Sequence, residues 1–195
     1  MRRIILQMML TLDGFVAGPH GEVDWHNVDE EFNEYAREFL SDVDTLLFGR
    51  VTYELMAGYW PTQDAYNSDP ITAEYMNTIN KIVVSRTMTE ADWNNTTLIQ
   101  DNIVEEISRL REQSGKQIAI LGSSRLAKSL IQANVIDEYR FIVNPLVLGK
   151  GQTLFEGLEE MSRLEHVHTR TFRSGNVLLC YRGKTDVREA ATNVK

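Results

Sequence analysis

Asp44-Thr45-Leu46-Leu47-Phe48-Gly49-Arg50-Val51-Thr52-Tyr53-Glu54-Leu55-Met56 reads as a short apolar strand, a glycine turn, an arginine and a threonine, then the start of a helix. Gly49 has access to backbone angles closed to other residues and lets a ligand approach the main chain. The unpaired N–H groups of the new helix form a ready site for a phosphate, and Arg50 adds a planar fork of donors. Many α/β proteins turn from strand to helix on a glycine without binding anything, so the stretch needs support from the rest of the chain.

The chain in order supplies it. Ile4 to Leu12 is nearly continuous in apolar character, as expected of a strand buried on both faces; its run is broken at Gln7 and leads into Asp13-Gly14, which argues against a cleaved leader. The loop from Asp13 to Trp25 carries Phe15, Val16, Val23 and Trp25. These side chains either cover an apolar ligand as a mobile lid or tuck into the core. Asp29 to Leu40 spaces Phe32, Tyr35, Ala36, Phe39 and Leu40 as one face of an amphipathic helix. The polar passage from Tyr59 to Thr72, with Asn67-Ser68-Asp69-Pro70 as a turn signal, reads as a long loop or insertion.

Lys81 to Arg86 is a further strand, ending in a hydroxyl and an arginine, and Thr96 to Gln100 a short one. Asn102 to Glu105 has capping-box spacing before a helix. Gln117 to Leu121 is a strand that runs through Gly122-Ser123-Ser124 into a helix from Arg125, repeating the opening motif. Tyr139 to Leu148 reads as a strand interrupted at Asn144-Pro145, and Leu164 to Arg182 as a hairpin around Ser174-Gly175. The fold class is therefore α/β, a mainly parallel central sheet with helices on both faces and an antiparallel C-terminal hairpin. Residues 1–183 form a single domain, and 184–195 a polar tail.

Composition bounds the function. A net charge of −8 with 43% apolar residues describes an ordinary globular chain and argues against nucleic-acid or anionic-membrane binding. No segment approaches the roughly 20 apolar residues of a membrane span. The single cysteine, Cys180, excludes an internal disulfide and suits a reducing cytoplasm. His166 and His168 share a strand face, a geometry metals use, but lack a clear third ligand, so no metal is assigned.

Three strands thus end in a glycine or hydroxyl beside an arginine: Gly49-Arg50, Ser85-Arg86 and Gly122-Ser123-Ser124-Arg125. Carboxyl ends of parallel strands share one edge, where ligands bind. The hydroxyls and helix N-termini suit a pyrophosphate and an arginine suits an extra phosphate, which together point to NADPH. Solvated arginines at ordinary strand ends are the competing reading. Neither a G-x-G-x-x-G fingerprint nor a phosphate-loop lysine is present.

Phe48-Gly49-Arg50-Val51-Thr52-Tyr53-Glu54, Ile82-Val83-Val84-Ser85 and Ile118-Ala119-Ile120-Leu121-Gly122 resemble the cofactor-side segments of dihydrofolate reductases. Asp13-Gly14-Phe15-Val16-Ala17 with Trp25, and Asn144 to Gly151 with Leu154-Phe155, resemble still more the reductase domain of bifunctional riboflavin biosynthesis proteins and its stand-alone relatives. The resemblance implies a three-layer α/β/α fold and hydride transfer from NADPH to a C=N or C=O group of a small, heterocyclic substrate. It implies that Gly49, Arg50 and Thr52 contact the cofactor's phosphates and ribose, with Ser85 and Arg86 near the adenosine. Gly122, Ser123, Ser124, Arg125 and Leu126 would cradle the pyrophosphate, and Val16, Ala17 and Leu121 flank the nicotinamide.

Phe15, Trp25, Phe32 and Asn144 are the implied substrate contacts, and Asp29 and Glu30 the candidate acids, each equally a helix cap or first-turn acid. The resemblance also implies a homodimer. The arginine that grips a folate tail would fall near Ile79, and the pterin-binding threonine falls in the apolar run Phe141 to Val143, so dihydrofolate itself fits poorly. The zinc deaminase signature of the bifunctional enzyme is missing. A module of the same fold that binds the nucleotide without turnover is the alternative, as is a genuine dihydrofolate reductase.

Overall fold

The computed structural model describes residues 1–158 and 161–183; the tail expected at 184–195 lies outside them. Strands and helices alternate: β1 (Ile4–Thr11), β2 (Phe15–Ala17), α1 (Glu30–Ser41), β3 (Val43–Gly49), α2 (Arg50–Tyr59), α3 (Gln63–Ser68), α4 (Pro70–Thr78), β4 (Asn80–Val84), β5 (Thr96–Ile99), α5 (Ile103–Glu112), β6 (Gln117–Leu121), α6 (Ser124–Gln132), β7 (Glu138–Asn144), β8 (Gln152–Thr153), β9 (Leu164–Thr171) and β10 (Val177–Gly183). Eight strands form one sheet in the order β5-β4-β3-β6-β1-β7-β10-β9, and β2 pairs with β8 in a small separate ribbon. The first six of that order run parallel; β10 is antiparallel to both β7 and β9. This is the mainly parallel sheet with a closing hairpin that the sequence implies.

Apolar runs make the central strands, because each must be covered on both sides. In β1, Ile4, Leu6, Met8 and Leu10 pack with α5 and α6 residues such as Ile107 and Leu130. Ile5 packs on the other face with Tyr35 and Phe39 of α1, Tyr53 of α2 and Met76 of α4. Period-two alternation places Gln7 and Met9 on that second face too. Ile4, Ile5, Leu6, Leu46, Leu47 and Phe48 are wholly buried, and each such side chain contributes about 1.5–3 kcal/mol.

Two local readings are corrected. The polar passage before Thr72 is helical: Thr62 caps α3, Asp69 caps α4 through Thr72, and Pro70 occupies the first turn. Asp-Pro is a turn signal and a helix-start signal alike, since proline lacks only an N–H that would be unpaired there anyway. Asn102 precedes α5 in a left-handed conformation (φ 52°) and makes no side-chain cap bond.

Candidate active site at the carboxyl edge

β4, β3 and β6 are consecutive neighbours in the sheet, so Ser85, Gly49 and Gly122 end side by side on one edge. The two glycine turns are also bonded to each other. Gly49 N–H donates to Ser123 Oγ (2.6 Å), and that hydroxyl donates to Thr52 Oγ1 (2.8 Å). Gly122 adopts φ +70°, and a Cβ there would sit 3.2 Å from Thr52 Cγ2. Only glycine combines that angle with that proximity. Ser123, at the N-cap position of α6, has φ 60° and makes no side-chain cap bond; its hydroxyl serves the neighbouring turn instead.

The helix starts at this edge differ from the others. α1, α3 and α4 are capped by Asp29, Thr62 and Asp69, and α5 carries Glu105 and Glu106 in its first turn. α2 and α6 have neither a capping side-chain bond nor an acid in the first turn. Their leading N–H groups and the positive ends of their dipoles are left for solvent or an anion.

Arg50, Arg86 and Arg125 are all exposed along this rim. Arg50 pairs with Glu54 one turn on (3.0 Å), with both side chains half in solvent, and Arg86 lies 3.8 Å from Asp101. Such exposed pairs are worth little and exchange readily. Ser85, in contrast, is buried, and its Oγ accepts from Thr87 N–H and Met88 N–H (3.2 and 3.1 Å), closing the turn after β4. Leu126 is buried in the α6 core, so a ligand would meet its main chain only.

The loop after β1 is tied down. Asp13 accepts from Thr11 Oγ1 (2.6 Å), Leu148 N–H (3.2 Å) and Gly149 N–H (2.7 Å), and these bonds hold its carboxyl below the usual range. β2 pairs with β8, and Gly151 lies so close to the Ala17 carbonyl that a Cβ would collide with it. Val16 and Ala17 are buried, Phe15 is half-buried beside Gly151, and Trp25 Nε1–H donates to Glu22 O within its own loop (3.1 Å). The hydrophobes of this loop mostly tuck inward, and Val16 and Ala17 offer a ligand only main chain.

Three expected site residues are corrected. Asp29 is the cap of α1: its Oδ1 accepts from Phe32 N–H (2.8 Å), its Oδ2 from Ser174 N–H (3.0 Å), and those bonds lower its pKa. A carboxylate held in its charged form is a poor proton donor. Glu30 points to solvent and pairs with Arg37 (2.8 Å). Asn144 is wholly buried, accepting from Asn27 N–H (3.0 Å) and donating to Leu10 O and Ile142 O, so it brackets the backbone rather than facing a cleft.

Phe32 stays half-buried against Tyr35 and Phe172. Met9, Leu121 and Met56 are, like it, partly buried hydrophobics packed against the core on this side of the sheet. Gln7 is the polar residue of that β1 face. Its Oε1 accepts from Tyr35 OH (2.6 Å), a contact that only the interrupted apolar run at Gln7 hints at in sequence.

His166 and His168 do not share a face. β9 is bulged opposite Cys180 and Tyr181, so His168 lies beside Cys180 (Nε2 to Sγ 3.6 Å) and His166 meets Tyr181 edge to face. Successive residues of β10 point to opposite faces, and their partners follow. Among the described residues no cluster of three or more His, Cys, Asp or Glu is placed to hold a metal ion, and no helix is long and apolar enough to cross a membrane.

A cavity of about 490 Å³ opens at the opposite, amino edge, among Arg2, Asp44, Thr45, Lys81 and Thr96. Its walls are joined to one another, Arg2 to Asp44 and Thr45, and strand amino ends are not where open α/β sheets bind ligands. The carboxyl edge remains the candidate.

Sheet order and edge define a dihydrofolate reductase-like α/β domain. Residues 2–178 match the RibD C-terminal domain, and the chain belongs to that family. It is 38% identical over 180 residues to the uncharacterized protein YyaP of Bacillus subtilis (strain 168), covering 92% of this chain and 94% of that one. A putative riboflavin biosynthesis protein from Shewanella sp. PV-4 superposes with a TM-score of 0.72 at 22% identity, over 93% of this chain and 99% of the other. Dihydrofolate reductase from Enterococcus faecalis, complexed with NADP(H), superposes at 0.64 and 19% identity, over 93% and 96%. A deaminase/5-amino-6-(5-phosphoribosylamino)uracil reductase from Thermotoga maritima gives 0.69 at 15% identity, this chain spanning 56% of its length.

Proposed function

We propose that the chain is an NADPH-dependent reductase that transfers a hydride to a C=N or C=O group of a small heterocycle. The observation that carries this reading is the joined pair of glycine turns, with the uncapped starts of α2 and α6 side by side. Two adjacent N-termini suit the two phosphates of a dinucleotide. Gly49, Thr52, Gly122, Ser123 and Ser124 line that cradle, Arg50 takes the extra phosphate, and Arg86 and Arg125 add positive potential. Val16, Ala17, Leu121 and Leu126 contribute main chain. NADPH supplies the hydride when bound; the chain's own residues orient it and exclude water. Phe15, Phe32 and Trp25 border the substrate side. With Asp29 and Glu30 engaged elsewhere, the proton comes from solvent.

That engagement also favours the second reading, a nucleotide-binding module without turnover. Titration of tryptophan fluorescence with NADPH and NADH tests both. Saturable NADPH binding is expected, and Arg50→Glu should weaken NADPH about tenfold while changing NADH much less. Absence of binding by either nucleotide overturns both readings; binding without oxidation of NADPH across carbonyl and imine substrates selects the module. The homodimer belongs to the same proposal. Its support is β9, exposed from Glu165 to Thr169, which is an edge strand of the sheet among the described residues and so offers backbone groups to a second copy. Light scattering giving a monomer mass of 22.4 kDa would exclude it.

A further inference from the structure

Two of the rim arginines stand beside an acid, and the two pairs differ in their place. Arg86 and Asp101 meet at 3.8 Å between the loops after β4 and β5, both largely exposed. Arg50 and Glu54 lie one turn apart on α2, directly after the Gly49 turn, and Arg50 Nη1 donates to both carboxylate oxygens of Glu54 (3.0 and 3.1 Å). Both side chains are about half in solvent, 46% and 50% exposed. α2 carries no acid in its first turn, so Glu54 is the first acid along the helix whose uncapped start faces the edge.

The two partners ask for different ligands. A guanidinium has only donors and suits a phosphate, whereas a carboxylate only accepts and takes a hydrogen bond from a hydroxyl. In dinucleotide sites an acid on the ribose 2′-hydroxyl goes with NADH, and an arginine at that place goes with NADPH. α2 presents both, already bonded to each other. The pair itself is weak and opens readily. What counts is the charge left standing beside the ligand. Side chains one turn apart are about 6 Å from each other, inside the screening length of about 8 Å at physiological salt. A 2′-phosphate that draws Arg50 away from Glu54 therefore still meets its negative charge. A 2′-hydroxyl in the same place donates to Glu54 and leaves the pair whole.

We propose that Glu54 is a specificity-determining residue of the cofactor edge: it accepts from the 2′-hydroxyl of NADH and repels the 2′-phosphate of NADPH, so that the chain takes both nucleotides and prefers NADPH only modestly. This rests on the cofactor edge proposed above and widens the reductants it accepts. Arg50 alone would make the edge strict for the phosphate; with Glu54 beside it, selectivity becomes the difference between two opposed contacts.

The fragments 2′,5′-ADP and 5′-AMP differ only in that phosphate, and calorimetry reads their binding beside that of NADPH and NADH. The intact chain should hold the phosphorylated member of each pair no more than about tenfold more tightly. Glu54→Gln keeps the length of the side chain and removes its charge. It should tighten NADPH and 2′,5′-ADP about threefold and weaken NADH and 5′-AMP about threefold, widening the preference about tenfold. Glu54→Lys should widen it further, so the outcome does not hang on one variant. A preference above about a hundredfold in the intact chain, or one that Glu54→Gln and Glu54→Lys leave unmoved, overturns the assignment and leaves the proposed function standing. Absence of binding by all four ligands in the intact chain refutes that function and this inference together.

Discussion

Ser123 shows how a single hydroxyl couples two turns. It accepts from Gly49 N–H and donates to Thr52 Oγ1, so the starts of α2 and α6 are fixed relative to each other. Ser123→Ala should leave Gly49 N–H unpaired and lower NADPH affinity about three- to tenfold, read by the same fluorescence titration, while a change in thermal stability without a change in affinity would refute the coupling. Lys81 acts structurally. It is 1% exposed, and its ammonium donates to Met76 O, Ile79 O and Asn77 O (2.9, 2.7 and 3.2 Å) under the face of Trp93, closing the C-terminus of α4. Burial pushes its pKa down to about 8, but three carbonyls and an aromatic face hold the charge in place. Lys81→Met should cost about 3 kcal/mol in urea unfolding, since it orphans carbonyls that α4 cannot satisfy itself. These roles were hidden in sequence: Ser123 reads as part of a turn between strand and helix and Lys81 as a strand's first charge.

At the scale of elements, legibility follows the physics of burial. β1, β3, β4, β6 and β7 are readable because strands covered on both faces must be apolar throughout, and α1 because its apolar stripe recurs at helical spacing. The α3–α4 segment was unreadable because short helices with polar faces carry little periodicity, and their caps look like turns. The site divides the same way. Gly49, Gly122 and the arginines stand where strand ends put them, whereas Asn144, Ser85 and Asp29 face inward or cap, a matter of three-dimensional partners. Pairing of β2 with β8 is the element-level device of the loop after β1. Gly151→Ala, which would push a methyl into the Ala17 carbonyl, should loosen this ribbon and raise exchange of the amides from 13 to 18 in hydrogen-exchange measurements. Unchanged protection there would show that other bonds, such as those of Asp13, hold the loop alone.

The whole molecule carries a net charge of −8, and its stability has a definable acid limb. His26 is largely buried, its Nε2 has no partner, and burial pushes its pKa down from 6.5 to about 4. The folded form therefore holds neutral His26, and the unfolded chain takes up the proton first as pH falls. Its contribution is intact above about pH 6.5 and is lost as pH falls from 6.5 to about 4, by roughly 3 kcal/mol in all. Asp69, whose folded pKa is lowered below 3.8 by Thr72 and Arg37 against the opposing cost of burial, adds to acid unfolding only below that range. In His26→Phe the slope of unfolding free energy between pH 6.5 and 4 should flatten, while the steeper loss below pH 4 remains; an unaltered slope would remove His26 from the acid response.

β1 lies between β6 and β7. β1 therefore leaves the ribosome long before either of its two partners, made at residues 117–121 and 138–144. Until then eight residues of near-continuous hydrophobic backbone have both edges bare, a template for mispairing with other nascent chains. Synthesis at about 5–20 residues per second leaves that strand waiting for about 5–20 seconds before β6 is made. The arrangement that buries the centre of the finished sheet most deeply thus makes the growing chain depend on shielding by chaperones, and overexpression should be limited by aggregation during translation more than by the stability of the folded protein.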